Sequence, residues 1–465
     1  MRYLALGSTR EIGASCHYLN VAGTGLVLDA GVDPEEDGVE SLPDFSLIRD
    51  RMERPVDHVL VSHAHHDHLG ALPVIVQLFP HIGVHMTKPT HLLAEVLLPS
   101  SARLQRRRLL EGSTTAKPLF DADAVEALSY LYESHELGAN IDLTGRKAKA
   151  PVRAQFYHAG HILGAAGILI ETEENGESRR IFYTSDTHLR AQTIIPGGEY
   201  PDGPIDVLLL ESTMGADEEA EQTTRREQEK LFGEAIARTL ERGGTVLVPV
   251  FALGRAQETL ALLDRYKRRG IIPQDTPIYT NGQMRAVADL YDKTRLATPR
   301  LNPEFEVFGV DQQRFPRNDE AGRRAVGEPS IHVVSSGMLF ERTLSNTLAQ
   351  WLVEDDKHGI FFVGFSKEDS PGDRLLKAAA EGKGTVVVLN EESGEQEVHA
   401  EVARFRFSGH SHRQDLIQLV DRLRPKKVVL VHGETEAKQW MRETLQRFYP
   451  GTEVVLPEQG VEIEV

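Results

Sequence analysis

The chain has 465 residues, 40% of them hydrophobic, which is too long for one compact core and points to a globular protein of two domains. Its 70 acidic residues against 52 basic ones give a formal net charge of −18, without the broad basic footprint of a passive nucleic-acid binder. The single cysteine, Cys16, excludes an internal disulfide and suits a reducing cytoplasm, no apolar run is long enough to span a membrane, and residues 1–7 are interrupted too soon for a signal peptide.

In chain order, Asp29 comes first, closing the apolar run Leu26, Val27, Leu28. Next comes the densest chemical signal, His63-Ala64-His65-His66-Asp67-His68, directly after the strand-like Val59, Leu60 and Val61. A helical pattern opens near Leu69, so the motif occupies a strand-to-helix loop. There, residues two apart project together, and Asp67 and His68 emerge at the helix start. Imidazoles and a carboxylate are zinc-type donors, and so many in one loop suggest two ions rather than one. His161 follows in Gly160-His161-Ile162-Leu163-Gly164, and Asp186 follows the strand-like Ile181, Phe182 and Tyr183. Glu211 ends Leu208-Leu209-Leu210, and His432 ends Val428-Val429-Leu430-Val431. Polar residues at the ends of buried strands are where a layered α/β fold places its site.

A second strand–helix alternation begins at residues 244–248. It continues through a helical pattern from Ala256 to Tyr266 and apolar strands near 277–280, 331–334 and 360–363. Such alternation predicts a parallel, doubly wound sheet. His432, a further strand-end donor, comes after it, so the C-terminal segment is expected to complete the first domain. The acidic, turn-rich residues 391–395 mark the predicted return. The expected organisation is residues 1–215 and 396–465 as one domain with residues 216–395 inserted.

These motifs together resemble the metallo-β-lactamase superfamily. More closely they resemble its β-CASP nucleases, which include the endonuclease subunit of the cleavage and polyadenylation specificity factor, its prokaryotic relatives and, more distantly, RNase J. Asp29, the run from His63 to His68, His161 and Asp186 match the superfamily motifs in order, and Glu211, His410 and His432 match the three additional β-CASP motifs. The resemblance implies an αββα metallo-β-lactamase sandwich carrying an inserted doubly wound α/β β-CASP domain. The expectation for this chain is that the extra RNA-binding domain of archaeal relatives and the C-terminal extension of RNase J are absent.

By the same resemblance His63, His65 and His161 hold one metal, Asp67, His68 and His432 a second, and Asp186 bridges both. Asp29 fixes a ligand's orientation, and Glu211 and His410 form an acid–base pair. The implied cofactors are two Zn²⁺ per chain, with Mn²⁺ or another divalent ion as the alternative. Substrate-contact candidates are His158, Arg255, Ser335, Ser336 and Gly337.

The expected activity is zinc-dependent hydrolysis of RNA phosphodiesters by a metal-activated water, endonucleolytic, 5′-exonucleolytic or both, in RNA processing or decay. The competing readings are a DNA nuclease of the same superfamily, a non-nucleolytic metallo-hydrolase and an inactive scaffold. His432 resembles the RNA branch, the inserted domain disfavours a small-molecule hydrolase, and the full ligand set disfavours a scaffold. The expected setting is the cytoplasm, with RNA as substrate, a homodimer or a protein partner in an RNA-processing complex, and no membrane.

Overall fold

The computed structural model describes every residue of the chain except 50, 52, 175, 365 and 366. It divides into two compact units, residues 1–191, 197–218 and 410–465 forming the first and residues 192–196 and 219–409 the second. The first unit contributes β1 (Arg2–Ala5), β2 (His17–Val21), β3 (Thr24–Leu28), β4 (His58–Val61), β5 (Gly83–Thr87), β6 (Tyr132–His135), β7 (Ile141–Asp142), β8 (Val152–His158), β9 (Ala166–Glu174), β10 (Glu177–Tyr183) and β11 (Val207–Glu211). The second follows with β12 (Val246–Pro249), β13 (Ile278–Thr280), β14 (Gln313–Arg314), β15 (Ile331–Val334), β16 (Gly359–Phe362), β17 (Val386–Val388), β18 (Glu395–Glu397) and β19 (Glu401–Arg404). The chain then returns to the first unit for β20 (Lys427–Val431), β21 (Glu453–Val455) and β22 (Glu462–Glu464).

Among the described residues the first unit holds two seven-stranded sheets, ordered β22-β1-β2-β3-β4-β5-β6 and β21-β20-β11-β10-β9-β8-β7. Side-chain alternation explains why they face one another. In β10, Ile181 and Tyr183 point into the core between the sheets while Phe182 points to the outer layer. β11 repeats this, with Val207 and Leu209 inward and Leu208 and Leu210 outward, and so does β20, with Val429 and Val431 against Val428 and Leu430. Strands buried on both faces read as continuous apolar runs, which is how they appear in the sequence. Helices Arg413–Leu423 and Thr435–Phe448 supply Leu416, Leu419, Met441 and Leu445 to the outer layer, and helix Lys88–Leu110 packs on β5 and β6. The result is the αββα sandwich.

The parallel strands are β3 to β6 in one sheet and β10, β11, β20 and β21 in the other. The remaining strand pairings of the two sheets are antiparallel. β1, β2 and β3 pair antiparallel, as do β8, β9 and β10. A two-residue turn makes the β2–β3 hairpin, with φ of 49° at Ala22 and 86° at Gly23, the twist that tight hairpins favour.

The second unit is built on a sheet ordered β14-β13-β15-β12-β16-β19, parallel throughout. Helices Arg255–Arg268, Gly282–Lys293, Leu344–Leu352 and Pro371–Glu381 lie between its strands in sequence, which gives the doubly wound pattern. This unit extends past residue 395. Residues 389–394 are the turn of the β17–β18 hairpin, and β19 adds a further strand beside β16, so the return to the first unit comes after Gly409. The acidic stretch at 391–395 has turn chemistry because it is a turn, not a linker.

One core of the second unit centres on Phe232, fully buried, with Phe405, Phe407 and Phe361 rings 5.0, 5.4 and 6.4 Å from its own. Phe232→Ala is expected to cost about 3–5 kcal/mol, the range for emptying a packed aromatic site. A fall in the urea midpoint of this unit's unfolding measures it.

Candidate metal centre

The first unit gathers these titratable side chains at the C-terminal ends of its strands, most of them parallel. Asp29 follows β3, the His63 to His68 motif follows β4, His158 ends β8 and His161 follows it. Asp186 follows β10, Glu211 ends β11, and His432 follows β20. The helix after β4 begins at His66, three residues before the apolar pattern suggests, so Asp67 lies in its first turn, where the helix dipole favours a carboxylate. The backbone bends sharply at two of these positions and just before a third, with φ of 60° at Asp29, 45° at His432 and 52° at Ser185, which precedes Asp186. Left-handed non-glycine residues of this kind cluster where side chains must be aimed. Gly31 serves close approach instead, since a Cβ there would lie 1.7 Å from the Asp67 carbonyl oxygen.

Two sets of donors share Asp186. In the first, His65 Nδ1 is 3.2 Å from His63 Nε2 and 3.1 Å from His161 Nε2, while Asp186 Oδ2 is 3.5 Å from His63 Nε2 and 3.7 Å from His161 Nε2. A tetrahedral ion with bonds of about 2.0 Å spaces its ligands about 3.3 Å apart, so these edges suit one. In the second, His432 Nε2 is 3.2 Å and His68 Nε2 3.7 Å from Asp67 Oδ2. Asp186 Oδ1 turns towards this set, 3.4 Å from His68 Nε2 and 3.1 Å from His432 Nδ1. The two oxygens of one carboxylate thus address two different groups of imidazoles.

The donor chemistry fits cations. His68 Nε2 and Asp186 Oδ1 are buried without a hydrogen-bond partner, a costly arrangement for a site meant to stay empty of charge. Burial disfavours the His68 imidazolium, yet Asp186, Asp67 and Asp29 outweigh it and hold its pKa well above the ordinary value. So concentrated a negative field calls for positive charge, which divalent ions supply more fully than protons.

Asp29 is fully buried and accepts from the Ser62 backbone at 2.7 Å, the Ser62 hydroxyl at 2.8 Å and the Tyr183 hydroxyl at 2.7 Å. Its Oδ2 also lies 2.8 Å from His68 Nδ1, which directs His68 Nε2 at the donor cluster. Asp29→Ala is expected to weaken metal binding about 10–100-fold through this lost orientation; competition against a chelating dye measures it. Ser62, Tyr183, Ser185 and Thr213 were not among the sequence candidates. Ser185 Oγ reaches His63 Nδ1 at 3.2 Å and Thr213 Oγ1 reaches His432 Nδ1 at 3.0 Å. Each flanks a candidate in sequence, and that adjacency was the available signal.

Glu211 is fully buried, accepts from the Thr187 backbone at 2.7 Å and sits 3.0 Å from His410 Nδ1. Burial opposes the His410 imidazolium, but Glu211 and Asp186 outweigh it and the pKa is pushed up to about 9. The His410 ring lies 4.6 Å from the His161 ring, so the pair borders the donor cluster. His158 is buried at the end of β8.

The remaining candidates belong to the second unit. Arg255 opens the helix after β12, nearly buried, and donates to Gln192 at 3.3 Å. Burial, with Arg225 adding to it, lowers its pKa to about 10. Ser335, Ser336 and Gly337 follow β15, the neighbour of β12, and a Cβ at Gly337 would lie 3.2 Å from the Phe251 nitrogen. Both groups therefore stand at the carboxyl ends of adjacent parallel strands, where open α/β sheets bind ligands.

Models of known families match along the chain: the metallo-beta-lactamase superfamily over residues 10–130, the Beta-Casp domain over residues 256–375, and a Zn-dependent metallo-hydrolase RNA specificity domain over residues 395–457. These matches identify a metallo-β-lactamase domain and a Beta-Casp domain within the chain. Metallo-β-lactamase folds bind divalent metal, and the clustered histidines and aspartates are compatible with that. Among its relatives, the transcription termination factor FttA of Methanothermobacter thermautotrophicus is 29% identical over 96% of this chain and 69% of its own length. The RNase J-like protein of Methanocaldococcus jannaschii is 28% identical over 97% of this chain and 98% of its own. Subunit 3 of the cleavage and polyadenylation specificity factor of Dictyostelium discoideum is 28% identical over 98% of this chain but only 56% of its own length, so the chain spans little more than half of that protein. A protein of unknown function from Enterococcus faecalis V583 shares the fold, with a TM-score of 0.56 and 14% identity over both full chains.

Proposed function

We propose that this chain is a metal-dependent ribonuclease. The observation that carries the reading is Asp186, whose two oxygens face two separate sets of imidazoles beside the His410–Glu211 pair. Relatives named as RNase J-like and as a cleavage-factor subunit support RNA as the substrate. The donors suit two divalent ions, zinc foremost, held by His63, His65 and His161 and by Asp67, His68 and His432 with Asp186 between them. Bound there, the ions supply positive charge for the phosphate oxygens and lower the pKa of water to make a nucleophile at neutral pH.

The chain's own residues do the rest. Asp29 orients His68. Glu211 holds His410 by Nδ1, so a proton passed to the leaving oxygen comes from Nε2. Thr187 donates its backbone N–H to Glu211 and fixes that carboxylate in turn. In the second unit, Arg255 and the turn at Ser335, Ser336 and Gly337 bind backbone phosphate. The net charge of −18 is no obstacle, because positive charge is needed only at the reacting phosphate. A lone buried cysteine, with no described helix long and apolar enough to cross a membrane, supports work in a reducing cytoplasm.

The test is incubation of the purified protein with labelled RNA and DNA, with and without chelator, alongside elemental analysis. Chelator-sensitive cleavage of RNA and about two zinc ions per chain in the catalytic cluster are expected. Cleavage indifferent to chelation, or of DNA alone, overturns the reading. Circular RNA separates the two modes, since only an endonuclease opens a circle.

A further inference from the structure

A second group of metal-type donors lies at the other end of β4 from His63. His58 begins β4, His85 lies on β5, and Glu133 and His135 lie on β6, the edge strand of the sheet. The register puts all four on one face. Leu60 pairs with His85, which places His58 diagonal to it, and His85 pairs with Glu133, two residues before His135.

His85 Nδ1 is 3.0 Å from His135 Nε2 and 3.7 Å from Glu133 Oε2. These separations bracket the edge of about 3.3 Å that a tetrahedral zinc-class ion requires. The opposite nitrogen, His85 Nε2, lies 2.9 Å from His58 Nδ1. With that nitrogen carrying the proton and donating to His58, the Nδ1 lone pair of His85 faces His135 and Glu133, as in metal-ligating histidines whose far nitrogen is held by a partner.

Two local features keep this geometry. A Cβ at Gly83 would lie 2.7 Å from His58 Nδ1 and 2.8 Å from His85 Nε2, so only glycine lets the two rings meet. The His135 ring stacks against Phe156, 6.2 Å away and 29° from parallel. His85 is buried while the Glu133 side chain is 62% exposed, which leaves a water-side approach for an ion.

We propose that His85, Glu133 and His135 form an additional site for a zinc-class divalent ion, oriented by His58 and separate from the catalytic cluster. Burial lowers the pKa of all three imidazoles, His85 to about 3, with His58 and His135 adding to the effect there. They are therefore neutral at physiological pH with lone pairs available, the state a metal ligand needs. The ion ties edge strand β6 to β5 and protects a sheet margin that otherwise offers unpaired backbone groups. This site does not depend on the ribonuclease reading.

The experiment is metal counting by difference. Wild type, His135→Ala and Glu133→Gln are stripped with chelator, dialysed against Zn²⁺ and assayed for bound metal per chain. The same comparison is repeated in an Asp186→Ala background. Wild type is expected to hold one ion more than His135→Ala, and that one-ion difference persists when Asp186 is absent. Glu133→Gln removes an exposed ligand without touching the core, so its weaker retention of that ion guards against a folding artefact. Equal counts in wild type and His135→Ala overturn the proposal, leaving the three histidines as a hydrogen-bonded chain only.

Discussion

Asp186→Ala is expected to abolish RNA cleavage, by a factor on the order of 10⁴ or more, while the far-ultraviolet circular dichroism stays that of the wild type. Asp186 Oδ2 stands 3.5 Å and 3.7 Å from His63 and His161, and Oδ1 stands 3.4 Å and 3.1 Å from His68 and His432. Removing the carboxylate deprives both donor sets at once. The fold is expected to survive because Asp186 Oδ1 is buried without a hydrogen-bond partner that the substitution would break. Elemental analysis of the variant is expected to show depleted metal in the cluster. Asp186→Asn keeps the shape but loses the charge, and it is expected to sit nearer the alanine variant than wild type. Wild-type turnover by Asp186→Ala would show the centre to be misassigned.

The second large effect concerns His410 and Glu211. Each alanine variant is expected to slow cleavage about 10²–10⁴-fold, the range for losing a positioned general acid. The double variant is expected to be little worse than either, because the two act through one hydrogen bond of 3.0 Å. Metal content is expected to remain, since neither residue is a proposed ligand. The defect should shrink on a nitrophenyl phosphodiester, whose leaving group departs without a proton. Full additivity, or an equal defect on the activated ester, would place these residues in binding or folding instead.

The metal motif was legible because its chemistry is concentrated: four candidate donors between His63 and His68 admit few other purposes. The parallel strands were legible for a related reason. β10, β11 and β20 are buried on both faces and so read as unbroken apolar runs ending in Asp186, Glu211 and His432. The antiparallel hairpins of the first unit were not read, because the turn at Ala22 and Gly23 is only two residues long and its flanks look like any alternating stretch. The end of the inserted segment was misplaced for a physical reason. Acidic and glycine residues at 391–395 favour a turn, and turn chemistry does not say whether the chain is leaving a domain or only reversing within one. Ser62, Tyr183 and Thr213 went unread because a hydroxyl acquires its role only when folding brings it to Asp29 or His432. The cluster of His58, His85 and His135 escaped similarly, being scattered over three strands with no spacing signature.

The placement of His432 has a consequence for synthesis. Asp186 and Glu211 leave the ribosome before residues 219–409 of the second unit, whereas His410 and His432 leave after them. At typical elongation rates the roughly 250 residues between Asp186 and His432 take about ten to fifty seconds to make. Until then the proposed donor set lacks one imidazole, and for most of that time the proposed proton-delivery pair lacks His410. On the proposed reading a nascent chain is thus chemically incompetent while still tethered beside the message that encodes it, and competence arrives only after β20, when most of the polypeptide has already emerged.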